Sequence, residues 1–453
     1  MPRIELPDGY AGSENLPKTN TILQNGWKTP EKRFLPRPGI TQLNTTSRVA
    51  RGGFKWNGSL YQVASGDLIK ITNVNTGAFS VIGTIDASDP IETAIGFNTA
   101  VIVVRGGKSY TLDKSDVLVD TSGNTNFVPF VDVAHINGRF IYIPANGDPA
   151  RFSDVGAGAT IQTASFFDAE ELPDKNNACF NLNNTLYIMG EESIELFNNP
   201  PDVVFPFQRI PRSLIRTGYI GGLLEYDNTF LFIGKKKDQS AGIFAIGQGT
   251  APKISNERID LILDDYTPAE LAEAIPGRIN WRGYDIATFS LRRDSFGFFN
   301  GNWFILDTIF SGVSRPWGAG YITEFEQEYY TAFKDKIGKF AKTNTDYGER
   351  ITRRIGGGAF DDQFARFTVQ SMELGLGQGF NTANGSVALR MSRDNVQFGP
   401  YIYRNTGAIG KYHDRMRWNP PGGLGNYEGF FGYEFVTTED IDFAVEQIQS
   451  EVF

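Results

Sequence analysis

Histidine is scarce in this sequence, with His135 and His413 the only two in 453 residues. A Ser-His-Asp triad or a histidine-rich metal centre depends on that side chain for proton transfer or ligation. His135 lies in an apolar strand, and His413 lies among Lys411, Asp414, Arg415 and Arg417, settings that suit packing and surface roles. The lone Cys179 excludes an internal disulfide framework and a cysteine-rich metal site. Between Ala178 and Phe180 it reads as a small buried hydrophobe rather than a reactive thiol. Carboxylates are the more serious catalytic candidates, because glycoside hydrolysis runs on two acids alone. Asp260, Asp264 and Asp265 cluster before a capped helical segment, and Glu324, Glu326 and Glu328 alternate along an expected strand. A solvated face accounts for either group equally simply.

Three further phrases carry weaker signals. Ser392–Gly399 approaches the Asp-box hairpin of sialidases, in which Asp394 bonds the amides of its own turn and performs no chemistry. Gly356-Gly357-Gly358 lacks the Lys and Ser/Thr of a phosphate-binding loop and reads as a flexible joint. Lys235-Lys236-Lys237, with Arg212 and Arg216, form the noticeable basic spots, without the interleaved aromatics of a single-strand track. Lysines there suit turns that discourage association at a sheet edge. The sequence therefore assigns no catalytic residue, no cofactor-binding residue and no metal ligand, and the expected protein is not an enzyme.

The elements that would carry such residues repeat. A turn bearing Asn or Gly, followed by an alternating apolar strand, recurs at Trp56-Asn57-Gly58, Phe97-Asn98, Ile136-Asn137-Gly138, Leu182-Asn183-Asn184 and Tyr226-Asp227-Asn228. Looser copies begin at Trp281-Arg282-Gly283 and Phe325-Glu326-Gln327. Asn and Gly tolerate the left-handed backbone of a tight hairpin, and the strand that follows packs against its neighbours. The spacing of roughly 40 to 45 residues, stretched to about 55 between the fifth and sixth copies, is that of a four-stranded propeller blade. The fold expected is mainly β, a β-propeller of about seven blades, or six, followed by a small antiparallel β-sandwich. Residues 1–42 read as an extended arm, 43–355 as the propeller with a helical insertion on its rim near 265–276, and 359–453 as the sandwich. The capped helix is Thr267–Ala274, with Thr267 and Glu270 forming a capping box and Pro268 opening the first turn.

Composition narrows the function classes. The formal net charge of −9 opposes a surface built to neutralise phosphates. No apolar run approaches the roughly 20 residues that cross a bilayer, and Met1–Asp8 lacks the apolar run expected of a secretory signal. Phe (36) and Tyr (18) supply rings that pack between twisted sheets.

Arg37-Pro38-Gly39-Ile40-Thr41, Glu192–Phe197, Pro211–Gly218, Ile259–Ile262 with Tyr266–Leu271, Leu389–Asp394, and Tyr412 with Arg415–Trp418 occur in an order that resembles the packaged-DNA stabilisation proteins of short-tailed phages related to P22, also called tail hubs or tail accessory factors. The resemblance implies a virion protein of the phage tail, made in the host cytoplasm. It implies a homo-oligomeric ring, hexameric in relatives, below the portal and its adaptor, carrying a tail needle, fibre or spike. Such a ring retains packaged double-stranded DNA and conducts it during ejection. An acidic lumen would let DNA slide. Two other readings stay open, a virion-associated propeller glycoside hydrolase or lyase and a non-catalytic receptor-binding propeller.

Overall fold

Six of the seven repeated turns place two consecutive residues in the left-handed region, from Asn57 (φ 47°) and Gly58 (φ 69°) to Glu326 (φ 52°) and Gln327 (φ 63°). Such a pair matches the twist of the strands that it joins. The second copy differs: Gly96–Asn98 is a three-residue connection closed by the Gly96 N–H on the Thr99 carbonyl at 2.9 Å. The structure, a computed structural model, describes residues 3–453 apart from 89, 169–171, 173, 200–205, 248, 361–365, 377–384 and 407–415.

Each turn joins the first two strands of one blade. Six blades are built from consecutive segments, 50–84, 91–120, 130–167, 176–209, 218–246 and 275–305. A seventh sheet, 321–341, is completed by Gly39–Thr45 from the beginning of the chain, which pairs antiparallel with Lys336–Ala341. The first strand of each sheet lies against the first strands of the sheets on either side, and the cycle returns from the seventh to the first. These strands therefore line the ring centre, their following turns share one face, and the connections between blades cross the other.

The second strand of a blade is apolar on both sides because it feeds two cores. In blade 2, Ile102 and Val104 pack with Phe54, Tyr61 and Leu68 of blade 1, while Val101 and Val103 pack with Phe130, Phe140 and Tyr142 of blade 3. Burial of this kind contributes about 1.5–3 kcal/mol for each large apolar side chain.

Blade 5 has three strands, and two short helices, Glu257–Asp264 and Pro268–Ala272, follow it. The expected capping box is present, with Thr267 Oγ1 accepting from the Glu270 N–H at 3.3 Å and Glu270 Oε2 from the Thr267 N–H at 3.0 Å. The preceding helix, capped by Asn256, was not expected. The helices do not sit on the rim. Ile259, Leu263, Tyr266, Leu271 and Ala274 fill the core between blades 5 and 6, against Ile233, Ile243, Phe289 and Trp303.

Asp307–Phe310 and Val313–Pro316 form a separate hairpin, Thr345–Asp346 and Glu349–Arg350 extend the blade 7 sheet, and the other strands form two facing sheets. In one, Val445–Val452 lies between Phe34–Pro36 and Arg366–Leu376, and Gly26–Lys28 and Met416–Trp418 lie outside them. In the other, Ile22–Gln24 joins Arg353–Phe360, Phe430–Thr437, Ser386–Ser392 and Ile402–Asn405, and continues into blade 6 through Gln24 beside Ile305. Trp27, Phe34, Trp418, Phe435 and Ile448 share the core between the sheets. Two expectations are corrected. The first 42 residues are not an extended arm, since their strands belong to both sheets and to blade 7. Arg353–Gly358 is no hinge but part of a strand whose glycines admit close neighbours: a Cβ on Gly358 would lie 2.2 Å from the Phe430 ring.

Candidate functional site: the centre of the ring

The first strands of all seven blades converge on a cavity of about 230 Å³. Bulges in the first strands of blades 1, 3, 4 and 5 break the strict alternation of side chains there, and a bulge can re-aim a side chain. Glu92 comes from blade 2, Asp132 from blade 3, Asn177 from blade 4, Tyr219 from blade 5 and Tyr321 from blade 7. Arg105, in the turn between the second and third strands of blade 2, contacts Glu92 Oε1 at 2.5 Å through Nη2 and donates to the Ala272 carbonyl at 2.9 Å through Nη1. It thereby ties the end of the second helix to the far side of the ring. Gly221 permits this approach, since a Cβ there would stand 2.5 Å from the Leu271 carbonyl oxygen.

Asp132 is buried and accepts from two amides, Val133 N–H at 2.8 Å and Cys179 N–H at 2.7 Å. Burial, with the nearby Glu92 charge, pushes its carboxyl well above the usual range. Burial also raises the Tyr219 phenol and takes that of Tyr321 up to about 12. No local spacing singles out Glu92, Arg105 or Asp132. Aligning the copies on their turns is the signal that finds Glu92 and Asp132, because it puts them, with Asn177, near the start of the inner strand; Arg105 lies outside that strand and has no such signal.

The residues singled out from the sequence lie elsewhere. Cys179 is buried beside this centre, and burial raises its thiol pKa. The His135 ring packs on Phe140 at 4.9 Å, and burial lowers its pKa. His413 falls outside the described residues. Asp260 accepts from Lys253 and Ser255, both at 2.5 Å, while Asp264 and Asp265 are exposed. Glu324, Glu326 and Glu328 do not share a strand: they straddle the first hairpin of blade 7, and Glu328 pairs with Lys339 at 2.5 Å. Asp394 Oδ1 accepts from the Val396 and Gln397 amides at 2.9 and 2.8 Å, the hairpin role read from the sequence. Lys235 to Lys237 run from the second strand of blade 5 into its next turn, so they guard no outer edge; Arg212 and Arg216 lie in the connection leading to that blade. Among the described residues, no group of three or more His, Cys, Asp or Glu is placed to hold a metal ion. No helix there is long and apolar enough to cross a membrane.

A family model described as bacteriophage P22 Gp10, β-propeller, matches residues 27–337. The chain belongs to this family. The match spans the P22 Gp10-type propeller from its closing strand, Gly39–Thr45, into blade 7. Its early phrase has a physical role. Arg37 is buried and makes a two-pronged ion pair with Asp346, at 2.9 and 2.5 Å, Gly39 passes against the Thr343 and Thr345 carbonyls, and Ile40 is fully buried. In a second phrase, Asp174 accepts from the Glu192 and Ser193 amides at 2.7 and 2.9 Å.

No curated protein matches the chain. Among solved structures, a streptogramin B lyase is 12% identical with a TM-score of 0.44, over 67% of this chain and 98% of its own. The N-terminal domain of Nup159 is 8% identical with a TM-score of 0.43, over 71% and 100%. Virginiamycin B lyase from Staphylococcus aureus is 12% identical with a TM-score of 0.41, over 66% and 98%. At these scores the likeness carries no argument about activity.

Proposed function

We propose that the protein is a structural subunit of a phage virion that assembles with copies of itself into a ring, hexameric as in the relatives that the sequence resembles. The ring closes the head below the portal and adaptor, retains packaged DNA, conducts it during ejection and carries a needle, fibre or spike. The family match over residues 27–337 is the observation that carries this reading.

The blocked ring centre supports a conduit between subunits. A cavity of about 230 Å³, with Ala272 to Pro276 in its wall, has no room for duplex DNA. This supports a path for DNA through a channel that oligomeric closure creates. A formal net charge of −9 favours an acidic lining for that channel. An assembled ring whose lumen is lined by Lys and Arg would overturn the lining.

Negative-stain imaging of particles lacking the protein tests the role. Heads that lose their DNA support closure. Filled particles that merely fail to adsorb would sink it in favour of a receptor-binding propeller.

A further inference from the structure

One end of the sandwich gathers cations that lie far apart in the sequence. Lys18, Arg366 and Arg393 line a cleft of about 810 Å³ beside the Phe453 ring. Lys18 comes from near the start of the chain, Arg366 opens a strand of one sheet, and Arg393 follows a strand of the other. Glu428 is the one carboxylate side chain in the lining, and it meets Arg366 at 3.6 Å with the two side chains 67% and 86% exposed. An ion pair so open to water contributes little. Among the described residues Lys18 and Arg393 make no ion pair, and Lys18 lies over the Phe430 ring at 5.3 Å. A second basic hollow, lined in part by Arg3, Lys28 and Lys32, differs: Lys28 pairs with Asp8 at 2.6 Å and Lys32 with Glu5 at 3.8 Å.

The rest of the chain is acidic, with a formal net charge of −9 overall. That charge disfavours duplex DNA as the occupant, since three cations offer few phosphate contacts and the surrounding surface repels the duplex. Copies of the chain need such a cleft. Acidic subunits repel one another unless a basic face on one meets an acidic face on the next, and a ring uses two different patches at every contact. The Phe453 ring, 76% exposed, and Arg366 also supply the aromatic and arginine side chains in which protein contacts are enriched. We infer, on the basis of the ring proposed above, that this cleft is the basic half of the contact between neighbouring subunits and receives an acidic surface of the adjacent copy.

The test uses purified virions that carry the full-length protein with Phe453 replaced by photoreactive benzoylphenylalanine, which leaves the three cations in place. Irradiation should join two copies of the chain, and mass spectrometry should place the far end of the link beside exposed Asp or Glu residues. Links to DNA, to another virion protein or only within one chain overturn the inference, as does the absence of any link. Arg366→Glu combined with Arg393→Glu should lower the number of copies per particle at least about 10-fold, while the purified variant melts like the parent. Arg366→Lys combined with Arg393→Lys keeps the charge and should assemble like the parent. Parent-like incorporation of the glutamate variant overturns the cleft alone, because the ring then forms without it. A parent protein that is missing from virions, or present without neighbouring copies of itself, overturns the ring and the cleft together. The photochemical link decides the matter by itself if the glutamate variant fails to fold.

Discussion

Arg37 and Arg105 each join parts of the chain that are far apart in sequence, yet their surroundings differ. Arg37 is sealed. Besides Asp346 it donates to Asn25 Oδ1 at 2.8 Å, the Pro38 carbonyl at 2.9 Å and the Asp307 carbonyl at 2.8 Å, while Trp317 covers its guanidinium at 5.2 Å. Asp346 also accepts from Thr308 Oγ1 at 2.7 Å. Arg105 has one carboxylate, one carbonyl and a cavity beside it. The first cluster fastens the sandwich, the closing strand and blade 7 together, and its hydrogen bonds stay within the protein. The second holds the helix end across the ring and leaves hydrogen-bonding capacity facing an open space. A satisfied buried network rigidifies, whereas spare polar capacity next to a cavity is what a binding site requires.

The largest expected effect comes from breaking the sealed cluster. Asp346→Ala leaves Arg37 buried without its partner and should cost about 3–5 kcal/mol, read as a lower melting temperature. Replacing both partners, Arg37→Met with Asp346→Leu, should recover part of that loss. Parent-like melting of Asp346→Ala would show that the cluster fastens nothing.

Asp132 sharpens the contrast through pH. Its folded-state pKa is raised, so the folded protein keeps this proton after the unfolded chain, with a carboxyl near 4, has released it. Stability should therefore fall as pH rises from about 4 through the folded value, and Asp132→Asn should flatten that part of the curve. A wild-type profile rising across the same window as steeply as that of the variant would contradict the assignment.

A smaller effect belongs to the helix that Arg105 holds. Thr267→Ala removes one half of the capping box and should lower stability by about 0.5–2 kcal/mol in thermal melts. Asp264→Asn, at an exposed position on the preceding helix, should stay within about 0.5 kcal/mol. Loss of turnover on host polysaccharide in Asp264→Asn would instead revive the carboxylates as catalytic groups.

Sequence reading reached what depends on neighbours in the chain. Five of the seven turns announce themselves because a two-residue hairpin demands left-handed backbone, which Asn, Asp and Gly adopt most easily. Blade spacing, the all-apolar second strands, the capped helix and the Asp394 hairpin follow from the same short-range rules. Even the copy at Glu326-Gln327, with neither Asn nor Gly, was found from its place in the period.

What the tertiary structure decided lies in contacts between distant residues. Gly39–Thr45 closes a blade whose other strands begin at Tyr321, and Ile22–Gln24 pairs with Arg353–Phe360. No local pattern distinguishes such a strand from an extended arm. Gly356-Gly357-Gly358 has the composition of a linker, and its use as a strand follows from the side chains of Ile22 and Phe430 lying over it. The cluster at the ring centre draws Glu92, Arg105 and Asp132 from two blades and tethers a helix beyond a fifth. Single carboxylates in apolar strands become a site only when the ring closes, because closure alone brings them around one space.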